Sequence, residues 1–267
     1  MSAKIHPTAI VDSTADLADD VIVGPYAIIE GLVRLGPGCV VQSHAQLIGP
    51  LTAGERNIFG RACIIGDEPQ HLAATGAGTH VYIGNGNGFR EHVTVHRGTA
   101  PGKATRIGDN NYFMVGSHVA HDCTIGNKVI MANCALLGGH VTVEDGVFLS
   151  GNTAVHQRMR IGKLALLSGT SAATKDLPPF TIMQNFNQVC GVNVIGMRRA
   201  GYSREDINAV RQAFRTLYLH GNLVPVALEK IAQQFVGSKA IGELVHFIRS
   251  STNGISNAVG RAERRAA

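Results

Sequence analysis

From Ile107 to Ala173 an apolar residue recurs at every sixth position: Ile107, Phe113, Val119, Ile125, Met131, Leu137, Val143, Leu149, Val155, Ile161, Leu167 and Ala173. Small or turn-forming residues often follow, as in Ile107-Gly108-Asp109-Asn110 and Ile125-Gly126-Asn127. A six-residue period fits neither the 3.6-residue repeat of a helix nor the alternation of a hairpin array. It predicts a parallel β-helix, in which each hexad is one short strand plus a corner. Three hexads close one triangular coil, so residues 18 apart, such as His121 and Gly139, stack one above the other, about 4.7–4.9 Å apart. Weaker hexads begin earlier. His6 to Val11 leads in, and Ile22, Ile28, Leu35 and Val41 keep close to the phase, with a one-residue slip near Arg34 that predicts a bulge.

The pattern breaks at Gly66 to Thr79 and again at Gly98 to Lys103, which read as loops leaving the coil. Such excursions often carry function. Gly84-Asn85-Gly86-Asn87-Gly88 reads as corner turns, because it lacks dinucleotide-loop spacing and no helix pattern follows. The period ends near Lys175-Asp176-Leu177-Pro178-Pro179, where the prolines cannot continue a ladder. Phe180 to Met197 reads as a bridge. Ser203-Arg204-Glu205-Asp206 resembles a helix start, and Ile207, Val210, Phe214, Leu217 and Tyr218 repeat at helical spacing. Leu223 to Phe235 and Ser238 to Ser251 are further amphipathic segments. The expected organisation is a β-helix over 1–190 and a helical domain over 191–267, ending in a polar, disordered tail with Arg261, Arg264 and Arg265. Helices at that end would cover the coil's open strand edges. Association is expected to cover one side, so an oligomer is predicted.

Composition sharpens this picture. Aromatic content is 5% with no Trp, which suits a narrow interior, and 32 glycines can serve the corners. The net charge of +5 comes without a Lys/Arg run interleaved with aromatics, so nucleic acid is not an expected partner, whereas an acidic one is compatible. The five cysteines are dispersed and form no C-x-x-C pair. Cys39, Cys63 and Cys134 fall in apolar hexads and are expected to be buried. The odd count points to a reducing, cytoplasmic setting. No signal-peptide core opens the chain and no stretch is apolar enough to span a bilayer, so stable membrane insertion is not expected.

The stacking rule turns scattered histidines into a site. His121 lies under Gly139; His140 is next along; His156 is on the coil above and His118 is three residues before His121. Two chemistries compete for this column. His118-x-x-His121 with Asp122 and Cys123 suggests zinc, but a three-residue gap across a corner does not aim both rings at one metal, so neither metal nor cofactor is expected. The other is acid–base acyl transfer. An imidazole, with an ordinary pKa of about 6.5, can take a proton from an alcohol at neutral pH. Asp122 could orient that ring, and the Gly139 N–H could stabilise an oxyanion where no side chain blocks substrate.

Ser117-His118-Val119-Ala120-His121-Asp122-Cys123-Thr124-Ile125-Gly126-Asn127, with Gly138-Gly139-His140-Val141 and Ala154-Val155-His156-Gln157, resembles the UDP-N-acetylglucosamine O-acyltransferase family. Val95-His96-Arg97-Gly98-Thr99, Asp176-Leu177-Pro178-Pro179-Phe180, and Gly191-Val192-Asn193 running into Gly196-Met197-Arg198-Arg199 extend the resemblance over nearly the whole chain. It implies a mainly β protein: a left-handed parallel β-helix of hexapeptide repeats with a C-terminal α-helical domain, assembled as a homotrimer. It implies transfer of an (R)-3-hydroxyacyl chain from acyl carrier protein to the 3-hydroxyl of UDP-N-acetylglucosamine, the first step of lipid A biosynthesis. By the same resemblance His121 is the general base and Gly139 the oxyanion donor. His118, His140, His156 and Gln157 would contact substrate, and Asn193 and Arg199 the nucleotide. Gly169 would set acyl length, leaving room for a longer chain. Arg198, Arg204, Arg211 and Arg215 would meet the acidic carrier. The chain departs from the family at Gln70-His71-Leu72-Ala73-Ala74, where relatives read Gln-Asp-Leu-Lys-Tyr, and at Ala200, where a basic residue is frequent. Gln70 and His71 stay candidate acceptor contacts, but the missing carboxylate and lysine leave a 3-amino sugar nucleotide open as acceptor. A transferase using coenzyme A, or a non-catalytic nucleotide-sugar-binding paralogue, stays open as well.

Overall fold

The computed structural model describes residues 3–75 and 77–258. The expected tail with Arg261, Arg264 and Arg265 lies outside the described residues. The chain is a left-handed parallel β-helix whose three faces hold 12, 9 and 8 strands among the described residues. The ladders keep the predicted coil length: His118 pairs with Leu136, Thr124 with Thr142, and Ile130 with Phe148. The six-residue series points inward, often with a second buried residue two positions earlier, as Val129 before Met131 and Ala135 before Leu137, and Phe59, Phe89 and Phe113 stack through the centre with centroids 5.4 and 4.8 Å apart.

The slip expected near Arg34 does not occur. The inward residues are Val23 and Ile29, which hold phase with Leu35 and Val41, whereas Ile22 is exposed. Neighbouring strand residues face opposite sides. Here both neighbours are apolar, so the pattern alone does not tell inside from outside.

Corners carry the turns, and many are not glycine. Cys134, Asn152 and Thr170 lie in one corner column, and Asn110, Lys128 and Leu164 in a second, all at positive φ. The third column, between the nine-strand and eight-strand faces, holds Asp122, His140 and Arg158 at φ 59, 60 and 66°. Left-handed backbone is costly for such residues. It is offset here by coil-to-coil bonds: the His140 N–H donates to the His121 carbonyl and the Arg158 N–H to the Gly139 carbonyl, each at 2.9 Å. Cys134 is therefore exposed at a corner rather than buried, while Cys39, Cys63 and Cys123 are buried. Gly84 to Gly88 does form a corner. Asn57, Asn87 and Asn111 stack there, each side-chain oxygen accepting the N–H of the next coil.

The prolines do not end the coil. Thr181–Gln184 still stacks in parallel on Leu166–Leu167, then folds back antiparallel with Gln188–Val192. The expected bridge is thus a hairpin, and the division placed after residue 190 falls inside its second strand. Among the described residues four helices follow: α1 (Val194–Arg199), α2 (Arg204–Tyr218), α3 (Val224–Gln234) and α4 (Lys239–Arg249). Ser203 caps α2, its Oγ accepting the Asp206 N–H, as the acidic start predicts. The helices bury a core of their own around Ile207, Leu228, Ile241 and Phe247. Asp176, fully buried, fastens this cap to the coil: it accepts the Arg160 N–H at 2.9 Å and the Ser251 hydroxyl at 2.8 Å.

Candidate active site

Both excursions leave the coil at the corner column of Asp122, His140 and Arg158. The first connects Ile64–Asp67 to His80–Ile83, and the second connects Thr94–His96 to Ala104–Ile107. They fold over the same edge, and the predicted histidine column lies beneath them.

His121 is 7% exposed, and its Nδ1 lies 2.9 Å from the Asp122 Oδ2. The same oxygen accepts the Thr99 hydroxyl at 2.8 Å, and the Thr99 N–H lies 3.3 and 3.4 Å from the two carboxylate oxygens. Burial pushes the Asp122 carboxyl up, but bonds from His121 and Thr99 and the nearby His140 outweigh it, so the net displacement is downward. An ionised Asp122 makes Nδ1 of His121 the donor, which leaves Nε2 as the lone-pair nitrogen. The Cε1–Nε2 edge of the ring lies over Gly139: a Cβ built there would fall 2.6 Å from Nε2 and closer still to Cε1, so any larger residue would have to displace the ring. The flanking N–H groups of Gly138 and His140 donate to the carbonyls of Val155 and His121. Among the described residues that of Gly139 makes no hydrogen bond.

Two more rings stand edge-on to His121, His140 at 5.2 Å and His71 at 5.3 Å. Burial holds the His140 pKa down against the pull of Asp122. His71 reaches in from the first excursion, its Nδ1 accepting the Ala73 N–H at 3.2 Å. His118 bonds the Thr94 hydroxyl at 2.7 Å and packs on His96. Burial, reinforced by His96 and His121, pulls His118 down to about 4. Donor atoms of His121, Asp122 and His140 lie within 4.8 Å of one another, close enough to hold a metal ion. His118, the zinc partner weighed from sequence, is not among them.

Among the described residues the other candidates make no hydrogen bond or ring contact with this cluster. His156 and Gln157 are exposed on the coil above, the His156 ring against the Gln157 carbonyl. Gln70 is exposed on the first excursion. Asn193 caps α1: its Oδ1 accepts the Gly196 N–H at 2.9 Å and its Nδ2 donates to the Leu164 carbonyl at 2.8 Å. Arg199 is exposed at the end of that helix. Gly169 is an exposed corner residue where an added Cβ would make ordinary contact with the Gly151 carbonyl. Arg198, Arg204 and Arg211 converge on a cleft of about 500 Å³ with Tyr202 and Asn208, and Arg215 lines the adjoining one.

Thr94, His96 and Thr99 carry no predicted role, although Val95-His96-Arg97-Gly98-Thr99 contributes to the family resemblance. His96 is 5% exposed. Thr94 stacks under His118 across 24 residues rather than 18, because the second excursion intervenes. Arg97 is also buried and fixes the base of the first excursion, donating to the carbonyls of Gly49 and Gly66 and to Glu68.

Comparison with known proteins agrees with this architecture. The profile of a family described as Udp N-acetylglucosamine O-acyltransferase, Domain 2, matches residues 176–256, and that of the bacterial transferase hexapeptide matches residues 104–139. The acyl-[acyl-carrier-protein]–UDP-N-acetylglucosamine O-acyltransferase of Halorhodospira halophila is 41% identical over 254 residues, covering 94% of this chain and 98% of that relative. The protein of the same name from Syntrophobacter fumaroxidans is 41% identical over 94% of this chain and 99% of its own. Among solved structures, the Francisella novicida UDP-N-acetylglucosamine acyltransferase superimposes with a TM-score of 0.91 at 31% identity, covering 97% of this chain and 95% of its own. The Campylobacter jejuni enzyme gives 0.90 at 31%, covering 96% and 100%.

Proposed function

Because the chain belongs to the UDP-N-acetylglucosamine O-acyltransferase family, we propose that it moves an (R)-3-hydroxyacyl chain from acyl carrier protein to the 3-hydroxyl of UDP-N-acetylglucosamine. The Nε2 of His121 takes the hydroxyl proton as the sugar oxygen attacks the thioester carbonyl. The resulting oxyanion accepts the Gly139 N–H. As the tetrahedral species collapses, the C–S bond breaks and protonated His121 returns its proton to the departing thiolate. Asp122 holds Nδ1–H throughout and stabilises the transient imidazolium. A base of this kind is worth about 10²–10⁴-fold in rate, and an oxyanion donor about 10²–10³-fold.

One observation carries this reading: the lone-pair nitrogen of His121 is on the ring edge over a glycine whose N–H has no acceptor among the described residues. His118 suits a neutral contact to substrate, since burial keeps its pKa near 4. His140, His156, Gln157, Gln70 and His71 are proposed to line the acceptor and acyl path, and Gly169 to set acyl length. Asn193 and Arg199 are proposed nucleotide contacts. Asn193 bonds Leu164 and Gly196 rather than the His121 cluster, so this reading has a neighbouring copy bring both residues to the cleft. Outward-facing Ile22, Ile58 and Tyr112 on one face, and Ile10 and Leu136 on another, are exposed apolar groups that a homotrimer would cover. The third face presents Arg34, Thr52, Tyr82, Arg106 and Thr124, with the exposed Tyr82 ring stacked against Arg106. The arginine cleft on α1 and α2 suits an acidic carrier protein. We place the two functional parts at residues 1–190 and 191–267, and the protein in the cytoplasm. No described helix is long and apolar enough to cross a membrane.

A second reading concerns the acceptor alone. His71 occupies the position where relatives carry a carboxylate, which favours testing a 3-amino sugar nucleotide beside the hydroxyl. The experiment is mass spectrometry of products formed from acyl carrier protein and coenzyme A thioesters, each with UDP-N-acetylglucosamine and its 3-amino analogue. A 3-O-acyl product made only with the carrier donor is expected. An N-acyl product would move the assignment to the amine, and no transfer from any donor would overturn it.

A further inference from the structure

We propose that Thr99 is a positioning residue that completes a Thr99–Asp122–His121 relay and links it to the loop facing the acceptor; the proposal rests on the acyl-transfer reading above. Thr99 sits on the second excursion, 23 residues from Asp122 in sequence, yet its hydroxyl donates to Asp122 Oδ2 at 2.8 Å. This is the oxygen that receives the His121 Nδ1–H at 2.9 Å. The Thr99 backbone N–H lies within 3.4 Å of the second oxygen. The Asp122 side chain is 5% exposed, so water cannot readily replace these donors. The carbonyl of Thr99 accepts the Thr75 N–H at 3.2 Å, and Thr75 belongs to the first excursion, whose His71 ring packs on His121. One residue therefore grips the carboxylate with its side chain and the neighbouring loop with its backbone.

The physical consequence follows from what else surrounds the carboxylate. His140 Nε2 stands 3.7 Å from the same Oδ2. With the Thr99 hydroxyl in place, Oδ2 is held between His121 and Thr99. Without it, the carboxylate is free to rotate toward His140, and the His121 ring loses the partner that fixes its tautomer and its aim at Gly139. Small misplacement of a catalytic base costs turnover more than binding. The expected signature is a fall in kcat with KM for the acyl donor retained.

The test compares Thr99→Val, which keeps shape and backbone, with Thr99→Ser, which keeps the hydroxyl, in the wild-type and Asp122→Asn backgrounds. Thr99→Val is expected to lower kcat about 10- to 100-fold with KM within about twofold, Thr99→Ser to stay near wild type, and Thr99→Val to cost nothing more once Asp122 is Asn. Undiminished kcat in Thr99→Val, or the same loss in both backgrounds, overturns the relay. Should Thr99→Val melt early, Thr99→Ala replaces it under the same criteria. A substrate-free readout separates this proposal from the reading it rests on. The His121 Nδ1–H proton resonance is expected to move upfield in Thr99→Val and to hold in Thr99→Ser. An unmoved resonance rejects the relay whatever the reaction, whereas a wild-type enzyme that transfers nothing rejects the reaction alone.

Discussion

His140 stands one coil above Asp122, its Nε2 3.7 Å from the Asp122 Oδ2, and both residues hold left-handed backbone at their corner. The carboxylate thus faces two imidazoles and is bonded to one, His121. His140 is left available to substrate. Its replacement by Ala is expected to raise KM for the sugar nucleotide about tenfold, the worth of one hydrogen bond, with a smaller change in kcat. Steady-state kinetics with the acceptor varied checks this.

Replacement of His121 by Ala should lower kcat by about 10²–10⁴-fold. The ring packs outside the apolar interior, so the coil should melt near the wild-type temperature. Turnover within a few-fold of wild type would reject His121 as the base.

Gly139→Ala tests the glycine itself. A methyl there would overlap the His121 ring, 2.6 Å from Nε2. Displacing the ring and shielding the N–H together should reduce kcat by at least about 10²-fold, with a stability cost of about 1–3 kcal/mol from overpacking. A variant with full activity would show that neither the ring position nor that N–H matters.

Stability should fall on mild acidification. Burial depresses His118 to about 4 and also lowers His96, His140 and His80. These groups bind protons more readily when unfolded, so their contribution is complete above the unfolded value of about 6.5 and is lost as pH drops toward the folded one. Thermal midpoints should decline between about pH 6.5 and 4, and His118→Gln should flatten part of that slope. An unchanged slope would count against the burial of His118.

Asp176→Ala should loosen the helical cap. It would leave the Arg160 N–H and the Ser251 hydroxyl without their buried acceptor, at about 1–3 kcal/mol each. Hydrogen exchange should rise first in α4 and at Asn257–Ala258, the strand that returns to the coil.

The stacked histidines could be read from sequence because no excursion interrupts the stretch from Ile107 to Ala173, so the 18-residue offset holds from coil to coil. Where a loop intervenes the offset changes, and Thr94 beneath His118 escaped that rule. His71 is a predicted acceptor contact, but its packing on His121, like the bond of Thr99 to Asp122, depends on how loops fold back, which no period encodes. The hexad pattern does not separate Ile22 from Val23, because the exposed and the buried neighbour are equally apolar. Cys134 was expected inside because a small apolar residue and a tight corner look alike in a hexad. Pro178 and Pro179 suggested the end of the coil, yet Thr181–Gln184 resumes the ladder just beyond them.

The departure of both excursions from a single edge separates two tasks. The proposed base and oxyanion donor sit on mutually stacked rungs of the coil; His71 arrives on a loop that leaves it. On the proposed function, a relative's loop grafted onto these rungs would change the choice of sugar and leave the thioester chemistry in place wherever Thr99 still reaches Asp122.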